Sequence, residues 1–187
     1  MPAFPAATDQ AVALLRRLGA EDIAHPGGTL LSHLQRTRTR LAAWNARPAL
    51  QLAGLCHAFY GTDGFATALL PLDRRDDLAA VIGVEAEAVV YLYASCDRKA
   101  TYPALGRADA ALHDRFTGRS GVFEPQARRD FAELSAANEL DLADIDPAFR
   151  DKWGPELLAL FARLQDSLSP DAWLACRTEL TLPGGQP

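Results

Sequence analysis

A chain of 187 residues with 49% hydrophobic content can bury about 70% of the surface it exposes when unfolded, so one domain with its own core is expected. The formal charge is −5, from 24 acidic and 19 basic residues, and the arginines are scattered, which argues against a phosphate-backbone partner. Three distant cysteines, Cys56, Cys96 and Cys176, lack CxxC spacing and fit reduced core thiols rather than a disulfide framework or a zinc finger.

The opening MPAFPAATDQ has no basic n-region or apolar h-region. No stretch approaches the 18 or so apolar residues of a membrane span, so a cytoplasmic protein with no membrane or nucleic-acid partner is expected. Residues 1–8 read as a flexible N-terminus, 9–180 as the helical domain and 181–187 as a flexible tail. Thr8 is placed to cap a first helix over 9–18, where Val12, Leu15 and Leu18 recur at helical spacing and Gly19 supplies the stop. A loop through His25, Pro26, Gly27 and Gly28 leads to Thr29, a candidate cap for a second helix. On that helix Leu30, Leu34, Thr37, Leu41 and Trp44 form a stripe, and His33 lies on or beside it, facing inward.

Pro48 suits the first turn of a third helix, ALQLAGLCHAFY, apolar on nearly every side and ending at His57. YGTDG breaks it. Asp73 to Asp77 opens a fourth helix that closes near Gly83, and VEAEAVVYLYASCDR reads as a fifth. There Ala86, Val90, Tyr93 and Asp97 share a face, which predicts Asp97 inward at the last turn. Further on, RFTGRSGVFEP reads as a Gly-containing loop and Pro125 starts ARRDFAELSAANEL. Pro147 starts a short helix, Pro155 starts ELLALFARLQDSL, and Ser169–Pro170–Asp171 caps a last helix containing Trp173. No segment alternates with period two for long enough to form a sheet, so an all-α single-domain bundle is predicted.

The chemistry resides in the histidines. A buried imidazole or carboxylate needs partners, and His33, His57 and Asp97 from three successive helices would all be satisfied at one divalent cation. Ordinary core hydrogen bonding of each, or Asp97 paired with Arg98, is the competing account. His113 and Asp114 read as surface polar residues. No GxGxxG, GxxxxGK[ST], GxSxG or HExxH motif is present, and Cys56 diverges from its neighbour His57 by about 100° on a helix, so no nucleophile–base pair arises there.

The segments HPGGTLLSHL, AGLCHAFYGTDGF and YLYASCD resemble the HD-domain superfamily of all-helical metal enzymes, over roughly residues 8 to 100, and in particular small, uncharacterised HD-like proteins. The resemblance implies that His33 is the first metal histidine, His57 the histidine of the His-Asp pair and Asp97 the final aspartate. Ala58 stands where the pair's aspartate is expected, which argues against two metals and for one, with His25 from the Pro-Gly-Gly loop as the replacement ligand. A set of His25, His33, His57 and Asp97 suits Fe(II), Zn(II), Mn(II) or Cu(II) better than Mg(II) or Ca(II). Tyr60 and Tyr93 are candidates for orienting water or substrate, Thr62 for contacting it, and Arg98 and Lys99 for binding an anionic group. The expected function is a metal-dependent hydrolase of a small anionic molecule, with a non-haem iron oxygenase or a noncatalytic metal-binding module as alternatives.

Overall fold

Nine α-helices, three short 3-10 helices and two two-stranded antiparallel ribbons account for the regular structure of residues 4–107 and 109–181, which the computed structural model describes. The fold is all-α, and no helix among these residues is long and apolar enough to cross a membrane. Helix α1 (Phe4–Arg17) buries Ala7, Ala11 and Leu15, one residue per turn. It begins earlier than expected: Thr8 is inside it, its hydroxyl donating to the Phe4 carbonyl (3.1 Å), so residues 4–8 are helical rather than flexible. Residues 1–3 and 182–187 of the predicted flexible ends lie outside the described residues. The stop at Gly19 (φ +76°) holds, with the Ala20 N–H reaching back to the Leu15 carbonyl (3.0 Å), as a left-handed C-terminal glycine allows.

The His25 segment is not a freely bending loop. Ala24–His25 (β1) pairs with Gly28–Thr29 (β2) across a Pro26–Gly27 turn, which needs Gly27 at φ +75° and packs it so tightly that a Cβ there would lie 2.6 Å from Ile145. Thr29 then caps α2 (Leu30–Ala43) by accepting the Ser32 N–H (3.2 Å). Pro48 starts α3 (Pro48–Cys56), whose Gly54 lets it press against Leu41 of α2. His57 follows as its C-cap.

Helices α4 (Arg75–Ile82) and α5 (Val84–Ser95) meet at Gly83. Asp97 departs from expectation because α5 stops two residues earlier. Cys96 turns extended and bridges to Asp114, and the Asp97 N–H bonds to the His113 carbonyl (2.9 Å). That pulls the chain out of the helix, and Asp97 becomes the N-cap of the short α6 (Arg98–Thr101), accepting the Ala100 N–H (2.9 Å). The partner is a hairpin, β3 (Ala111–His113) with β4 (Ser120–Val122), where a plain loop was expected; strands of three residues are too short to show alternation in sequence.

Helix α7 (Pro125–Ile145) starts at its proline as predicted but runs past Leu140, and every residue from Asp130 to Asp141 is buried. Its surroundings explain this: five helices, α2, α3, α5, α8 and α9, pack against it. Helix α8 (Pro147–Arg163) is continuous, with Pro155 inside rather than starting a separate helix; the lost backbone bond is outweighed by a side-chain stripe that continues through it. Ser169 caps α9 (Pro170–Glu179) by accepting the Ala172 N–H. Cys56, Cys96 and Cys176 are buried free thiols.

Candidate functional site

Helix α2 aims His33 at the central helix, and the end of α3 aims His57 at the same place; the two side chains are 1% and 2% exposed. From α7, Asn138 and Asp141, one turn apart, meet His33 at both ring nitrogens. Asp141 lies 2.6 Å from His33 Nδ1 and Asn138 Oδ1 lies 3.1 Å from Nε2. A carboxylate accepts, so Nδ1 carries the proton. Arg36, one turn after His33, holds the same carboxylate (Nε to Oδ1 2.7 Å, a terminal N–H to Oδ2 3.0 Å) and reaches the carbonyls of Pro26 and Gly27. Burial pushes the Asp141 carboxyl upward, but the hydrogen bonds from His33 and Arg36 outweigh it and hold it below the usual range.

His57 Nδ1 donates to the Gly54 carbonyl (2.8 Å) within its own helix end. Both imidazoles therefore have their protons committed away from each other, while their Nε2 atoms stand 3.3 Å apart. The Asn138 amide N–H₂ donates to Glu139 (3.2 Å), which leaves its oxygen facing His33. His33 Nε2 thus meets two groups able to accept, and a proton on this nitrogen, a turned Asn138 amide or a cation would each relieve the contact. His57 takes up a proton poorly: burial, reinforced by His33, brings its pKa down to about 3.

His25 from the hairpin stacks on His33, ring centroids 4.1 Å apart and 21° between planes, with its other contact an edge to Phe65. Its Nδ1 is buried without a hydrogen-bond partner, and burial followed by the proximity of His33 lowers its pKa to about 4. Tyr93 sits edge-on to His57 (5.4 Å) and its hydroxyl accepts from Arg98 (3.1 Å), which also donates to Glu139 (3.1 Å). A cavity of about 300 Å³ opens onto His25, His33, His57, Thr62, Arg98 and Asn138.

Of the residues singled out in the sequence, His25, His33, His57, Thr62 and Arg98 share this cavity, and Tyr93 backs it. Asp97, Lys99 and Tyr60 do not line it. Asp97 caps α6, Lys99 is exposed, and the Tyr60 hydroxyl donates to Glu87 (3.0 Å) in a separate buried cluster. Parallel stacking offsets the ring plane of His25 from that of His33, and no three His, Cys, Asp or Glu side chains among the described residues form a metal-holding group. The set His25, His33, His57 and Asp97 is therefore not assembled as four converging donors. His113 bonds Ser120, and Asp114 orders the hairpin turn through Phe116 and Tyr91. Sequence reasoning missed Arg36, Asn138, Glu139 and Asp141. The available signal was the i, i+3 pair Asn138 and Asp141 inside an Ala- and Leu-rich run.

Residues 14–98 match the model of a domain of unknown function (DUF6817). No curated protein and no solved structure matches the chain. The matched segment carries His25, His33, His57 and Arg98, whereas Asn138 and Asp141 lie beyond it.

Proposed function

We propose that this cavity is the mononuclear metal centre of a hydrolase acting on a small anionic molecule, with His33 and His57 as ligands through Nε2 and Asn138 Oδ1 as a third donor. One observation carries the reading: two Nε2 atoms stand 3.3 Å apart while each Nδ1–H is engaged, one by a carboxylate and one by a backbone carbonyl. Metal-binding histidines are held in this way. The spacing also fits, since tetrahedral bonds of about 2.0–2.1 Å place donors about 3.3 Å apart. Two imidazoles with an amide oxygen suit Zn(II), Fe(II) or Mn(II). His33 and His57 are also the positions that the HD resemblance assigns to metal.

Bound there, the ion would supply an activated water and polarise the substrate oxygen. Asp141 keeps His33 in the tautomer that offers Nε2, and Arg36 keeps Asp141 ionised. Arg98 attracts the anionic group, and His25 stacks on His33 and holds its ring in place. In the reaction the water oxygen bonds to the phosphorus or carbonyl carbon, the ester bond breaks, and the leaving oxygen gains the proton the water gives up.

The test is elemental analysis of protein purified without added metal, then metal titration and turnover of 4-nitrophenyl phosphate. About one ion per chain is expected, with metal and turnover both lost in His33→Ala and His57→Ala. Unchanged metal content in both variants would refute the reading. The short Asp141–His33 bond (2.6 Å) favours one other account, a metal-free proton chain through His33 to His57, which predicts turnover indifferent to chelators. Dioxygen uptake by the iron-loaded protein would replace hydrolysis with oxidation, and bound metal without any turnover would leave a noncatalytic module.

A further inference from the structure

A second cavity, of about 530 Å³, adjoins the histidine site and shares Arg98, Glu139 and Phe149 with it. One wall is a stripe on α8. Phe149, Trp153, Leu157 and Leu160 recur at steps of four, four and three, so they lie on one helix face. The opposite wall holds Tyr102, whose ring is braced edge-on by Phe131 (6.4 Å). Trp153 is left 39% exposed, although a covered tryptophan would remove far more apolar surface from water. Arg98 stands at the junction, its guanidinium carbon 5.7 Å from the Tyr93 ring centre and 6.0 Å from that of Tyr102.

We propose that this groove binds the aromatic portion of the substrate, so that the enzyme acts on an aromatic or similarly flat apolar group carrying an anionic ester. This rests on the histidine cavity being the reaction site. Three features select that occupant over a peptide or a second copy of the chain. The groove adjoins the histidine cavity across three shared residues, its volume falls within the range of small-molecule pockets, and one of its two bordering cations, Arg98, is shared with that cavity. A ligand whose anionic end meets Arg98 beside His33 and His57 has its remainder directed along Trp153. Tryptophan, tyrosine and phenylalanine walls favour a flat ring, through offset and edge contacts, over a flexible chain.

The experiment compares 1-naphthyl phosphate with inorganic phosphate by calorimetry on the zinc-loaded protein. Naphthyl phosphate should bind at least about tenfold tighter, and Trp153→Ala should remove about tenfold more affinity for it than for phosphate, with Trp153→Phe restoring most of the difference. Equal affinities for the two probes, or equal losses in Trp153→Ala, would overturn the groove while leaving the metal site standing. Absence of metal binding alongside retained, Trp153-dependent naphthyl phosphate affinity would overturn the metal reading alone. A concentration-dependent dimer in sedimentation that Trp153→Ala dissolves would assign the groove to a second copy instead.

Discussion

Two of the buried ionic clusters, around Glu87 and around His33, have hydrogen-bond inventories that differ in kind. Around Glu87, donors match acceptors. Arg75 engages both carboxylate oxygens (2.6 and 2.8 Å), Tyr60 adds a third bond (3.0 Å), and the guanidinium lies over the Tyr91 ring at 3.8 Å. Burial, then Glu87, drives the Tyr60 hydroxyl far above its ordinary range, so it remains a donor. Around His33, with each Nδ1–H engaged elsewhere, neutral imidazoles would leave acceptors in excess: His33 Nε2 meets both His57 Nε2 and Asn138 Oδ1. A closed inventory fixes a fold, whereas a surplus of lone pairs in a buried place marks where a cation or a reacting proton belongs.

If the Glu87 cluster is purely architectural, Glu87→Ala should give the largest stability loss, roughly 3 kcal/mol from leaving the buried Tyr60 hydroxyl without its acceptor and the partly exposed Arg75 without its ion pair, with metal content unaltered. Urea denaturation read beside elemental analysis checks both halves, and loss of metal in this variant would erase the distinction.

Acid should act mainly through the other cluster. The pKa of His57 is about 3 when folded against 6.5 ordinarily, so between those values the unfolded chain binds a proton that the folded chain does not. The His57 contribution to the stability of the metal-free protein therefore falls as pH drops from 6.5 toward 3, by about 2 kcal/mol at pH 5, and protonation of Asp141 adds to the loss at the acid end. His25, lowered for the same reasons, acts in the same direction. Urea midpoints between pH 7 and pH 4 test this, and a flat profile would mean that His57 is not sealed from water. The smallest of the three effects is Asp141→Asn. It removes the charge that orients His33 and should weaken metal affinity about tenfold or more while leaving helix content by circular dichroism unchanged.

Much of the helical frame could be read from local chemistry. Thr29, Pro48, Gly83, Pro125 and Ser169 mark boundaries where the chain does start or stop, because caps and first-turn prolines act over three or four residues. His33 and His57 were legible for a similar reason: His33 lies on the apolar stripe of an amphipathic helix, and His57 ends a helix that is apolar on nearly every side. Asp97 was not. Its placement depends on the β3–β4 hairpin drawing Cys96 and Asp97 out of α5, a contact between segments that no periodicity records. Asp141 and Asn138 were overlooked because polar residues near the end of a helix ordinarily face water. Only the enclosure of α7 by these five helices turns them inward.

That enclosure divides the chemistry between two stretches of chain. The imidazoles come from residues 25–57, but the groups that orient and complete them ride on α7, more than 80 residues further along. A fragment ending near Arg98 would keep every histidine of the cavity and still lose the oxygen atoms of Asn138 and Asp141. The histidines alone are thus half an instrument, and the activity proposed above would depend, in any shortened form of this protein, on a surrogate for α7 to close the ring.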